Sequence, residues 1–327
     1  MLRGLYTLRE ADAYGGRSVT GSTPHAETVP TMVRTLIGNR FILDGVATKP
    51  HYVLFTCHRY DEFGLPMPYI FALCGETPLG RTSALAVARS AKARGAQAVA
   101  ISDAPCDPLS SLSWPAFLAR CGGPIRSWLP LEPTYPTHLH DLGHNQAVAG
   151  VDGKPDDLFE EYVHVGLQFF LGDRVIRYGQ ERRGEALPDG IAFAQGSIIL
   201  PYDAKAYKGG YDVTHDSIRQ FSSYVRDFDS KYQHYLGRAY AFLLVSGHFA
   251  NGERSLANQS RALRVECGVD LVYMTAADLG AATTLLAQQP SLRPAINWRD
   301  VFSHTLVTLQ VIQDAVDAAR RDGVVRT

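Results

Sequence analysis

A chain of 327 residues with 46% apolar side chains is long enough for one large globular domain or two ordinary ones. Its formal charge of −1 gives no overall reason to expect a nucleic-acid partner, and no apolar run reaches the roughly 18 residues that a membrane span needs. Five scattered cysteines make no disulfide framework and the N-terminus lacks the apolar core of a secretory signal, so a cytoplasmic protein is expected.

Residues 1–23 are rich in Gly, Ser and Thr and predict a mobile tail. A helix is expected near Ala26–Ile37. The apolar runs "HYVLFTC" (51–57) and "YIFALC" (69–74), separated by Gly64, Pro66 and Pro68, predict paired strands. In "RTSALAVARSAKARG" (81–95) the apolar spacing is helical and a glycine stands ready to close the helix. Its cations, Arg81, Arg89, Lys92 and Arg94, suit a phosphate backbone and suit a solvated face equally well. "AQAVAIS" (96–102) predicts a buried strand. Cys57-His58 in "FTCHRY" suggests a nucleophile, but no partner base is identifiable, and a pair at a strand end is the expectation.

Residues 1–150 are thus expected to form a small α/β domain for target recognition or regulation. Seven of the eighteen prolines fall between Pro105 and Pro136, which predicts a connector over 105–150 and a boundary near residue 150. Within it, "THLHDLGHN" holds His138, His140 and His144. With no cysteine pair or HExxH companion, these predict a polar loop rather than a metal site. The second domain, 151–327, opens with "DDLFEEYVHVGLQFFLG" (156–172), a largely buried helix stopping at Gly172. No internal repeat or low-complexity tract is visible.

The chemistry concentrates in "LPDGIAFAQGSIILPYDAKAYKGGY" (187–211). Two acids, Asp189 and Asp203, bracket an apolar ribbon whose return turn falls on Gly196 and Ser197. Strand alternation sends Asp203 and Lys205 to one face. Two carboxylates on neighbouring strands suit a hard cation such as Mg²⁺, with the Ala204 carbonyl as a further ligand, while the ammonium orients water or polarises a phosphate. Gly209 and Gly210 allow close backbone approach to a phosphate. This is the D…DxK arrangement of a metal-dependent nuclease, although the same spacing arises by chance at ordinary strand ends. The region around it is basic: nine Lys/Arg stand between residues 205 and 264 against five Asp/Glu.

The stretch resembles the cleavage domain of the FokI-type IIS restriction endonucleases, within the PD-(D/E)xK nuclease superfamily. "PDG" (188–190), "DAKAYKGGY" (203–211) and "FLLVSGHF" (242–249) stand in the family's order and spacing, and "INWRDVF" (296–302) sits where the family carries a terminal helix. The resemblance covers roughly residues 156–305. It implies a PD-(D/E)xK restriction-endonuclease-like domain, a mixed sheet flanked by helices, preceded by the small α/β domain. It also implies metal ligation by Asp189, Asp203 and Ala204, and catalysis by Asp189, Asp203 and Lys205. Glu160 or Glu161 is a candidate additional acid and Lys208 a candidate phosphate contact. His248 is expected to be a buried, hydrogen-bonded histidine. One departure stands out: the positions that pair across the family's cleavage dimer are Arg219 and Ser223 here, so a homodimer would need other contacts.

The function so implied is Mg²⁺-dependent (or Mn²⁺-dependent) hydrolysis of double-stranded DNA to 5′-phosphate and 3′-hydroxyl ends, in bacterial restriction or phage defence. Two alternatives remain beside it. One is a low-specificity nuclease or nicking subunit directed by a partner defence protein; the other is a catalytically idle DNA-binding protein, against which the intact acid–acid–lysine set argues.

Overall fold

The computed structural model describes residues 28–39, 41–60, 65–75, 77–121, 129–171, 175–178, 187–194 and 198–325. The expectations for residues 1–23, Gly172, Gly196 and Ser197 lie outside the described residues. Two compact units divide the chain, Met1–Ile125 with His234–Leu236, and Arg126–Gln233 with Gly237–Thr327.

In the first unit, helix α1 (Thr28–Gly38) leads into strands β1 (Ile42–Thr48), β2 (Tyr52–Tyr60) and β3 (Pro66–Cys74), each antiparallel to the one before. Helix α2 (Arg81–Ala93) returns the chain so that β4 (Gln97–Ile101) runs parallel to β3, and β5 (Ser110–Leu112) runs parallel to β4. Helix α3 (Trp114–Cys121) follows. The strand alternation decides the two faces. Tyr69 and Phe71 turn toward Phe41, with Phe117 against Phe71, while Ile70, Ala72 and Cys74 turn toward Ala84, Val87 and Ala91 of α2. The same alternation separates Cys57 from His58: the thiol is buried and the imidazole pairs with Asp44 at 2.8 Å on the opposite face.

The second unit begins earlier than the proline count implies. Helix α4 (Tyr135–Gly143) occupies the segment expected to be connector and polar loop, and Tyr135, Leu139 and Leu142 are wholly buried. Proline is harmless there because it stands in the first turn, where the missing N–H has no helical partner. The Tyr135 hydroxyl donates to the Tyr162 carbonyl at 2.7 Å.

Helix α5 (Pro155–Leu171) precedes β6 (Val175–Arg177), β7 (Gly190–Ala194) and β8 (Ile198–Lys205), again antiparallel in turn. Helix α6 (His215–Leu236) crosses to β9 (Ala241–Ser246), and α7 (Glu253–Cys267) to β10 (Asp270–Thr275), both joining in parallel. Strands β9 and β10 read as unbroken apolar runs because helices cover both their faces. Helices α8 (Ala276–Ala287), α9 (Trp298–Val301) and α10 (Leu309–Val325) complete the unit. The "INWRDVF" segment supplies only the four-residue α9. The long terminal helix is α10, whose buried face of Ile312, Val316 and Ala319 the sequence reading missed.

Two devices hold the sheet's chemical edge. A capping box starts α6, with the Thr214 hydroxyl accepting from the Ser217 N–H and the Ser217 hydroxyl accepting from the Thr214 N–H. Phe221 of that helix stacks on Phe242 of β9 at 4.6 Å. Gly247, just past β9, lies so close to the end of α4 that a Cβ there would sit 2.4 Å from the Gly143 carbonyl oxygen. That same carbonyl accepts from the Tyr207 N–H at 3.1 Å, so the contact also anchors the chain leaving β8. Gly247→Ala is therefore expected to cost about 1–3 kcal/mol by overpacking, read as earlier unfolding in calorimetry; an unchanged midpoint would contradict the packing.

Candidate active site

Strand pairing builds the centre. Gly190 opposes Tyr202, which sets Asp189 at the mouth of β7 beside Asp203 on β8. The two acids then bind each other's backbone. The Asp189 N–H donates to Asp203 Oδ1 at 3.0 Å, and the Ala204 N–H donates to Asp189 Oδ2 at 2.7 Å. Lys205, two residues on and on the same face, brings its Nζ to 2.8 Å from Asp203 Oδ2. The glycine of "PDG" follows from crowding: a Cβ at Gly190 would meet the Ile176 carbonyl oxygen at 2.1 Å and the Tyr202 hydroxyl at 2.4 Å.

Burial makes these charges consequential. Asp203 is 1% exposed and the Lys205 side chain 24%. Burial pushes the Asp189 carboxyl well above the usual carboxylate range, and the Asp203 charge pushes it further; Lys205 and the Ala204 N–H oppose the shift without cancelling it. For Lys205, burial alone would lower the ammonium, but Asp203 and Asp189 outweigh it and hold the group above its ordinary value. Lys205 is thus a fixed cation at neutral pH. Glu160 is also raised, by burial first, despite Arg177 and Lys205 nearby.

A hard divalent cation fits this donor set. Asp203 Oδ2 is fully buried and, among the described residues, accepts no aligned hydrogen bond, its contact being the Lys205 ammonium. Oxygen donors from Asp189, Asp203 and the Ala204 carbonyl are of the type Mg²⁺ prefers. Among the described residues no three His, Cys, Asp or Glu side chains converge as a preformed metal cluster.

The other sequence candidates separate. Glu160 faces the centre and lies 3.5 Å from Arg177, whereas Glu161 is exposed on the outer side of α5, 3.9 Å from the same guanidinium. Lys208 is exposed on the turn after β8, next to Tyr207, which is also exposed. Arg81, Arg89 and Lys92 are exposed on α2 of the first unit. Arg219 pairs locally with Asp216 at 2.9 Å, and the Ser223 hydroxyl donates to the Gln220 carbonyl. His248 is half-buried rather than buried, and among the described residues its Nδ1 has no hydrogen-bond partner. Its ring stacks on His144 at 5.0 Å, and His144 lies 4.3 Å from His140. His138 faces away from that stack, toward the Tyr162 hydroxyl.

Four participants escaped the sequence reading. Arg177 on β6 opposes Gly190 and so reaches the site from the edge strand. Tyr202 lies beneath the acids, its hydroxyl 3.2 Å from His164 Nδ1. Tyr211 and Tyr224 approach from the other side, each raised by burial and further by the Asp203 charge. The signal for Arg177 was a cation inside the short apolar run "RVIRY", legible only once that run is known to pair with β7.

A family comparison matches the part of the chain that holds this site. The family model described as "FokI, cleavage domain" matches residues 129–290. Two solved structures of the restriction endonuclease FokI are similar. One is 21% identical, with 51% of this chain and 30% of that chain covered at a TM-score of 0.37. The DNA-bound form is 19% identical, with 58% and 36% covered at 0.38. The match thus spans about a third of the length of those proteins. No curated protein matches the chain. Residues 129–290, which hold Asp189, Asp203 and Lys205, are a FokI-type cleavage domain.

Proposed function

We propose that the second unit hydrolyses phosphodiester bonds in double-stranded DNA, using Mg²⁺ and leaving 5′-phosphate and 3′-hydroxyl ends, in the service of bacterial restriction or phage defence. The observation that carries the reading is the interlock of Asp189 with Asp203, with the Lys205 ammonium held against it. Asp189, Asp203 and the Ala204 carbonyl would hold such a divalent cation, which would supply Lewis-acid stabilisation of the charge that develops on the phosphate.

The chain's own residues do the remaining work. Lys205 stays protonated, so it serves as a positive hydrogen-bond donor to a phosphate oxygen or an attacking water, and not as a proton acceptor. Arg177 offsets the negative charge of Glu160 at the edge of the site. Tyr207 and Lys208, exposed on the turn after β8, meet the nucleic-acid backbone in this reading. Because Arg219 and Ser223 stand where the family pairs an acid with an arginine across its dimer, a homodimer that cuts both strands would be built from other contacts. The first unit selects the target, with Arg81, Arg89 and Lys92 of α2 on phosphates; a partner defence protein directing the cut is the second reading.

Removing the shared acid tests the chemistry. Asp203→Ala is expected to abolish the plasmid nicking and cutting that wild type shows in Mg²⁺ or Mn²⁺ and loses in EDTA. Cleavage by the variant at the wild-type rate would reject the assignment.

The raised Asp189 carboxyl gives a second test with a worked sign. A carboxyl lifted on folding costs stability wherever it ionises, that is above its unfolded range. Asp189→Asn in EDTA at neutral pH is therefore expected to melt above wild type, by about 2–4 °C for each kcal/mol relieved. Adding Mg²⁺ should raise the wild type and leave the variant unmoved; a variant that melts lower in EDTA would refute the burial argument.

The division of labour is tested by comparing cut maps. A fragment from about residue 126 onward should cut one plasmid weakly and without the full chain's selectivity, with steep salt dependence. Charge reversal at Arg89 and Lys92 should weaken the full chain alone. Identical maps and rates from fragment and full chain would transfer selection to a partner protein.

A further inference from the structure

The two sheets share one plan. In each, a helix precedes three strands that pair antiparallel in succession, a helix then crosses over, and two further strands add in parallel on the third strand's outer side. Strands β1 to β5 of the first unit thus correspond in order and direction to β6 to β10 of the second. On β8 the side that faces its crossover helix carries Asp203 and Lys205. On β3 the corresponding side, facing α2, carries Ile70, Ala72 and Cys74, so the catalytic set is not preserved. Ala72 and Cys74 are buried under α2.

The side of this sheet that faces α2 carries a groove. It has a volume of about 310 Å³, at the small end of ligand sites, and it lies between the open face of β1–β2 and α2. Leu54 and Val87 help to form its apolar part, Thr56 and Ser90 supply hydroxyls, and Lys49 and Arg94 supply the charge. Val87, Ser90 and Arg94 line one face of α2 and its C-terminal end, offset from Arg89 and Lys92. Among the described residues, no acid lines the groove. Residues 28–121 hold nine Lys/Arg against six Asp/Glu, and α2 holds no acid at all.

We propose that the first unit is a second, non-catalytic copy of the nuclease-type sheet, and that this groove binds a nucleic-acid phosphate with its adjoining sugar or base, held by Lys49 and Arg94. Two cations and two hydroxyls around an apolar floor match an anion attached to an apolar body. The assignment extends the DNA reading above but stands on different residues.

The test measures binding alone, so loss of nuclease activity leaves it intact. Full-length protein carrying Asp203→Asn binds a fluorescent duplex, and anisotropy is followed across salt concentrations. Adding Lys49→Glu and Arg94→Glu is expected to weaken binding about ten-fold or more, and to lower the log–log salt slope by about two. Ser90→Tyr, which fills the groove without changing charge, should weaken binding while leaving the slope near its original value. All three positions are exposed, and unchanged melting temperatures would show that the variants fold. Competition by 5′-dAMP would assign the same phosphate chemistry to a free nucleotide; failure of 5′-dAMP with retained charge dependence would assign it to the polynucleotide. Unchanged affinity and slope in the double variant would overturn the proposal. A loss in the double variant without one in Ser90→Tyr would reduce the cations to general surface charge and overturn the groove.

Discussion

The cost of burying two carboxylates at one sheet edge governs the second unit. An isolated buried carboxylate costs several kcal/mol, more than a marginally stable domain readily tolerates. Here each acid takes a backbone N–H from the other's strand, and a lysine ammonium closes the remaining side. The arrangement requires β7 and β8 in one register, since a shift of a single residue would turn Asp203 away. Gly190 exists to let that register close over Tyr202, and Gly247 lets α4 pin the chain as it leaves β8. The surrounding apolar core serves the same end, holding fixed a pair that repels itself.

Much of this was legible from the chain because the chemistry is local. Asp203 and Lys205 are two residues apart on a strand, so alternation alone puts them on one face, and Asp189 lies within hairpin reach. Strands β2, β3 and β4 and helix α2 were visible as apolar runs and periodicity. Other features depend on partners distant in sequence. Arg177 and Tyr202 matter only through pairing across β6, β7 and β8. The prolines around Pro136 signalled a break, whereas one of them opens α4, because its position in the first turn and not its identity decides the outcome. Cys57 and His58, expected at a strand end, lie inside β2 instead, because the strand runs on to Tyr60.

The shared plan of the two sheets left no trace as a repeat in the sequence. A five-stranded sheet with one crossover helix is specified by where apolar residues alternate and where turns fall, and many sequences satisfy that. The recognisable residues of the second unit are its chemical ones, and those are the residues the first unit lacks. Where Asp203 and Lys205 would stand, the first unit packs small or apolar groups, and its cations, Lys49 and Arg94, lie along a groove elsewhere on the same face. One architecture thus holds a buried, charged centre in one unit and a basic surface groove in the other.

The central claim is that Asp189, Asp203 and the Ala204 carbonyl together hold a divalent cation against Lys205. The most direct measurement is anomalous X-ray scattering from crystals of the full chain grown with Mn²⁺. The account predicts a manganese peak bounded by both carboxylates and the Ala204 oxygen, absent from Asp203→Asn crystals treated alike. A protein that cleaves DNA in Mn²⁺ while its crystals carry no peak there, or carry it at other residues, would contradict the account.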